Sequence, residues 1–231
     1  IHSMSKKEQT APQDANAIDE LNDQLTGISQ KVQENQRIIY IATGVVAFIV
    51  ICVLVYIYAF RNPGIEKGND EIGLADLELM QGNDSIALIQ YENIASSHGY
   101  SAGNRAALQA AILLYQKGEY QQALDYLGKY SADESFIGAA AYSLEGDCYV
   151  NLDQLDNAVK AFKNAIAQSD DNPSYTPFFM LKLARVYNAQ QKYGDELKVY
   201  EEIMKEYPAY GDMYGIDIRK YLERARLQAG Q

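Results

Sequence analysis

The chain has 231 residues, room for one or two domains. Its 20 Lys and Arg stand against 31 Asp and Glu, and a net charge of −11 argues against nucleic acid as a partner, because phosphates are held by clustered cations. Two cysteines (Cys52, Cys148) and two histidines (His2, His98) build no disulfide framework and no Cys-rich metal site, and they leave little for general-base chemistry.

Residues 1–16, IHSMSKKEQTAPQDAN, are polar and read as a disordered tail, with Met4 as the expected native start. Residues 17–37 place Ile18, Leu21, Leu25, Ile28 and Val32 at spacings of 3, 4, 3 and 4, an a/d seam. Two readings stand: a plain amphipathic helix, or a coiled-coil stalk that forms a homodimer through 17–37. Membrane tethering raises local concentration and favours the second.

Residues 38–60, IIYIATGVVAFIVICVLVYIYAF, carry no charge over 23 residues. As a helix this run is about 34 Å long, against a hydrocarbon core of about 30 Å. Tyr40 lies near one end, Tyr56, Tyr58 and Phe60 near the other, and Arg37 and Arg61 flank it. That distribution predicts a single transmembrane helix in contact with the lipid bilayer. The run is too long and too far from the start for a cleaved signal peptide. Lys6, Lys7, Lys31 and Arg37 precede it and Arg61 and Lys67 follow, which favours a cytoplasmic N-terminus. Asn62-Pro63-Gly64 is expected to break the helix, making 61–66 a linker.

The stretch 67–211 repeats. Aligned on Ala87, Ala123, Ala158 and Glu196, four copies are spaced by 36, 35 and 38 residues. Four positions later stand Tyr91, Leu127, Phe162 and Tyr200. Twelve positions earlier stand Ala75, Ala111, Gly146 and Ala184. Gly82, Gly118, Asp153 and Gln191 mark where each turn should fall. The fourth copy adds Leu183, Tyr187, Tyr193 and Pro208; the second reads Gly118-Glu119-Tyr120-x-x-Ala123-Leu124; the third adds Tyr149 and Ala165; the first has Glu78 where an aromatic is expected. This pattern resembles the tetratricopeptide repeat. The resemblance implies an all-α chain: one transmembrane helix, then an α-solenoid of four helix hairpins, closed by a capping helix over 212–231. In that last helix Tyr214, Ile218, Tyr221 and Leu222 should face inward, and Arg219, Lys220, Arg224 and Arg226 outward. The extra residues SDDNPSY between the third and fourth copies depart from the strict period.

No GxxxxGK[ST], GxSxG, HExxH or CxxC motif occurs, and the acid pairs Asp170-Asp171 and Glu201-Glu202 do not share a helix face. Cys148 reads as a small core residue and His98 as a loop residue. No enzyme activity and no cofactor are expected. The tetratricopeptide resemblance implies instead a protein-binding groove lined by the first helix of each hairpin. It would take Ile72, Asp76 and Leu79 from the first unit, and Arg105, Leu108, Ile112 and Tyr115 from the second. Ser143, Asp147 and Val150 come from the third, and Phe178, Leu181, Arg185 and Asn188 from the fourth. The whole architecture of short arm, anchor and repeats also resembles the ancillary subunit of the SecYEG translocon in bacterial inner membranes. That resemblance implies an adaptor in the cytoplasmic (inner) membrane with a periplasmic repeat domain, assisting translocon or chaperone handling of exported proteins. The alternative is a structural scaffold for another envelope complex, in secretion or cell division.

Overall fold

A computed structural model describes Thr26, residues 35–132 and residues 135–230. The seam Ile18–Val32 and the tail lie outside the described residues. What is described falls into two units, one ending at Asn62 and one beginning at Pro63.

In the first unit, α1 (Gln36–Val55) is followed by a wider π-helical turn over Tyr56–Arg61. No residue of α1 is buried, and its most apolar stretch has a mean hydropathy of 3.0. By length and composition it is long and apolar enough to cross a membrane.

The expected break at Asn62-Pro63-Gly64 does not occur: the backbone stays helical, and α2 begins at Asn62 and runs to Met80. Pro63 has no N–H to donate and its ring crowds the carbonyl four residues back, that of Ala59. The π-helical turn sits at that point and absorbs the conflict. A proline in the first turn of a helix is tolerated, and so the linker is helical.

The second unit is a run of hairpins. They pair α2 with α3 (Asp84–Ser97), α4 (Tyr100–Gln116) with α5 (Tyr120–Leu127), α6 (Ser135–Asn151) with α7 (Leu155–Gln168), and α8 (Thr176–Ala189) with α9 (Tyr193–Glu206). Short α10 (Tyr210–Tyr214) and α11 (Ile218–Gln228) follow.

One turn geometry recurs four times. Gly82, Gly118, Asp153 and Gln191 all adopt positive φ, at 79°, 80°, 57° and 58°. After each, the next N–H (Asn83, Glu119, Gln154, Lys192) reaches back to the carbonyl of Glu78, Leu114, Tyr149 or Tyr187 at 2.8–2.9 Å. This is the Schellman arrangement, which satisfies the last carbonyls of the first helix and reverses the chain.

Between the helices the aligned columns are buried. Ala75, Ala111 and Ala184 are fully buried, as are Ala87, Ala123 and Ala158. A Cβ added to Gly146 would lie 2.7 Å from the Phe162 ring, so only glycine admits that ring. Tyr91, Leu127, Phe162 and Tyr200 fill the gaps between layers. The extra residues between α7 and α8 form a turn in which Asp170 and Asp171 adopt positive φ, and Ser169 Oγ and Thr176 Oγ1 share a buried hydrogen bond of 2.6 Å. The α7–α8 packing survives it.

The C-terminal segment corrects the expectation in two places. Tyr214 lies in α10 and is half-exposed rather than packed inward, whereas Ile218 and Ala225 are buried. Arg224 turns inward: its guanidinium donates to Glu196 Oε1 at 2.9 Å, and Glu196 is completely buried. A carboxylate in an apolar column needs a cation brought to it, and that requirement overrides the amphipathic pattern.

Candidate protein-binding groove

The first helices α4, α6 and α8 wall an apolar groove of about 410 Å³. Leu108 and Ile112 come from α4, Phe136, Ile137, Ala140, Ser143, Leu144 and Asp147 from α6, and Phe178, Phe179 and Lys182 from α8. Phe136, Ile137 and Phe178 are 50%, 39% and 45% exposed. The Phe136 ring rests on Tyr175 with centroids 4.2 Å apart, and the Phe178 and Phe179 rings meet edge to face at 5.5 Å. One charged pair interrupts the apolar wall: Lys182 Nζ donates to Asp147 Oδ2 at 2.5 Å and to Ser143 Oγ at 3.1 Å. The same ammonium lies 5.0 Å from the Phe178 ring centroid and 5.7 Å from that of Phe162. The pair is mutually neutralised, so the groove presents carbon more than charge.

Of the sequence-expected residues, Leu108, Ile112, Ser143, Asp147 and Phe178 meet here. Ser143 is buried beneath Lys182. Leu181, Arg185 and Asn188 gather instead around a second pocket of about 160 Å³, with Tyr200, Ile216, Tyr221 and Arg224. The remaining residues line neither. Ile72 is buried in the core, and Leu79 packs on that core. Asp76 accepts from the Tyr91 hydroxyl at 2.6 Å and pairs with Arg105, joining α2 to α3 and α4. Tyr115 packs on Tyr120 with centroids 5.5 Å apart, while Val150 stays exposed.

Sequence reasoning passed over Phe136, Ile137, Phe179 and Lys182. The signal was there for two of them. Phe136 shares a helix face with Ala140, Ser143 and Asp147, and Lys182 lies one turn after Phe178.

Titration follows burial. The Cys148 thiol, fully buried, is pushed up to about 12 by desolvation and then by the charges of Asp147 and Glu145, and it stays protonated at neutral pH. Burial, followed by the Asp147 charge, also raises the Tyr115 phenol. His98 is not a free loop residue; its Nε2 bonds Glu71 Oε2 at 2.7 Å.

Residues 71–184 match the family described as tetratricopeptide repeat-like domain. Among solved structures, a MamA protein is 18% identical with a TM-score of 0.51, covering 71% of this chain and 92% of that one. The TPR-like repeats of a putative kinesin light chain from Podosopora anserina are 15% identical with a TM-score of 0.53, covering 71% and 87%. In the APC/C hetero-tetramer Cut9–Hcn1, a matching chain is 16% identical with a TM-score of 0.51, covering 68% of this chain and 29% of that one. Comparison with curated protein sequences gives no match. Identities this low speak for the fold alone. With one turn geometry at four hairpins and a family match that runs from α2 to α8, the repeat hairpins of this protein resemble those of tetratricopeptide repeat-like domains.

Proposed function

We propose that the protein is a membrane-anchored adaptor that takes apolar segments of other polypeptides into the α4–α6–α8 groove. The observation that carries this reading is the cluster of half-exposed Phe136, Ile137 and Phe178 in a concave wall where, among the described residues, the charges of Asp147 and Lys182 cancel. Large apolar groups in a concave site are the anchors on which such interfaces concentrate their energy. The uncharged run 38–60 would supply the anchor, and the Lys/Arg count over the whole arm favours a cytoplasmic N-terminus. With the architectural resemblance to translocon ancillary subunits, this reading places the repeats in the periplasm of a bacterial inner membrane, with emerging exported chains as clients. The seam over 17–37 would pair two copies.

The test uses the full chain in its membrane. A photocrosslinking residue at Phe178 should capture an arrested exported precursor. The same residue at exposed Asn93, outside the groove, should capture several-fold less. Replacing the precursor's apolar segment with serines should abolish the Phe178 adduct. Equal yields at both positions sink the groove. In intact spheroplasts, external protease should remove the repeats. Their survival until the membrane is opened overturns the topology. A scaffold would give one stoichiometric adduct whatever precursor is supplied.

A further inference from the structure

The first hairpin leaves open a face that the later hairpins have covered. On the aligned columns Leu77 corresponds to Leu113, Cys148 and Val186, all of them buried. Leu74 corresponds to buried Ala110 and Leu183 and to half-buried Glu145. Leu74 and Leu77 themselves are 61% and 49% exposed, because no hairpin precedes α2 among the described residues. The second helix extends this face. Ile86 and Ile89 are also exposed, yet their columns are polar in the other hairpins: Gln122, Asn157 and Asp195 for the first, Asp125, Lys160 and Lys198 for the second. The fourth hairpin shows that these columns share one surface. There Leu183, Asp195 and Lys198 line a single hollow of about 260 Å³, together with Lys163 and Ile166 of the preceding α7. Leu74, Ile86 and Ile89 hold the corresponding places in the first hairpin, so they face the space that a preceding second helix would fill.

We propose that this face seats one amphipathic helix of a partner polypeptide, apolar along one side and rich in Lys or Arg along its edges, lying as α7 lies against the fourth hairpin. Leu74 and Leu77 are one helical turn apart, as are Ile86 and Ile89, a spacing that receives the i, i+3 and i+4 side chains of a helix. Four large apolar side chains on one surface leave water only when a partner covers them. Charge selects the occupant. From Asn62 to Ser97 there are seven Asp and Glu and a single cation, Lys67. Glu66 and Asp70 continue the stripe of Leu74 at four-residue steps, are exposed, and form no ion pair among the described residues. The covering helix α7 already follows this chemistry, since its Lys163 shares the hollow with Asp195 and Glu202. A second copy would set one acidic hairpin against another, and an anionic lipid surface would be repelled in the same way. Residues 17–34 carry Asp19, Glu20, Asp23 and Glu34 against Lys31 alone, so their charge is wrong too. The inference does not depend on the α4–α6–α8 groove.

The test uses the full chain in phosphatidylcholine nanodiscs with a photocrosslinking residue at Leu74. The probes are three synthetic peptides of about 18 residues, long enough to form a helix. One is built from Leu, Ala and Lys with Leu along one side. The second has Glu for Lys, and the third scrambles the first so that its Leu are dispersed. The Lys helix should be captured saturably, and the other two about tenfold less or weaker still. The same crosslinker at Leu227, exposed in α11, should also capture about tenfold less of the Lys helix. Leu77→Gln with Ile89→Gln should lower capture from Leu74 by about tenfold at an unchanged melting temperature, since both side chains are exposed. The Glu probe asks the same question of an unaltered face. Equal capture of the Lys and Glu helices, or equal capture from Leu74 and Leu227, overturns the inference. So does a Leu74 adduct to a second copy, to lipid or to residues 17–34 that the Lys helix fails to displace.

Discussion

Glu196 occupies the column that Ala87, Ala123 and Ala158 fill in the other hairpins, and all four side chains are fully buried. A buried carboxylate is tolerable only with its oxygens engaged, and Arg224 and Asn188 do this. The sequence comparison found the odd residue but not its partner, because Arg224 is 28 residues away and sits in what looked like a solvated basic face. The energetics follow from asymmetry. Arg224→Ala strands the carboxylate and should cost on the order of 2–4 kcal/mol, at the lower end because Arg224 is itself partly exposed. Adding Glu196→Ala restores the residue of the other three copies and should recover most of that loss. Thermal denaturation of the three variants measures the cycle, and a double variant no more stable than Arg224→Ala would refute the account.

At the scale of the hairpin, the period of 35–38 residues made the helix pairs legible, and the turn column was right at all four positions. Two of those turns use glycine and two do not. Asp153 and Gln191 hold the left-handed conformation with a Cβ, which costs about 1–2 kcal/mol that glycine avoids. Gln191 is exposed and its side chain makes no hydrogen bond among the described residues. Gln191→Gly should therefore stabilise the domain by about 0.5–1 kcal/mol, the gain being reduced by the greater freedom of the unfolded glycine. Chemical denaturation with an unchanged slope would register it; a loss of stability would mean that the turn is held by something other than backbone geometry. The Asn62-Pro63-Gly64 break was misread because three helix-breaking residue types in a row outweigh one another's context only when the preceding turn cannot widen. Here it does, over Tyr56–Arg61.

Across the whole molecule, the chain has 19 Tyr and no Trp, so phenols do much of the packing. Burial raises the Tyr200 phenol to about 12, and it raises Tyr91, Tyr126, Tyr149 and Tyr210 as well. A folded pKa above the unfolded value of about 10 means that the fold favours the protonated form. Its contribution is complete below pH 10 and is lost as pH climbs through 12, on the order of 3 kcal/mol from Tyr200 alone. Alkaline titration followed by far-ultraviolet dichroism should show unfolding in that window, and Tyr200→Phe should move its midpoint upward. The groove was half legible in the sequence for a related reason. Repeat columns identify residues that face inward in every unit, such as Ile72 and Leu181, but exposure depends on how far neighbouring hairpins overlap. Phe136 and Lys182 enter the site through that overlap and not through any column.

The charge buried in the fourth hairpin also limits how the array can lengthen. A tandem duplication of α8 and α9 would set the inner copy of Glu196 against another first helix instead of α11. That helix would be a copied α8, and beside its small residue Ala184 it carries Arg185, so the unit brings its own guanidinium. At the positions flanking their small residues, Ala75, Ala111 and Gly146, the first helices of the other hairpins carry Leu74, Asp76, Ala110, Ile112, Glu145 and Asp147, and no guanidinium among them. Placed after α9, any of those hairpins would leave the buried carboxylate unanswered at that column, whereas a copy of α8 and α9 would not. The buried charge thus makes the order of units matter.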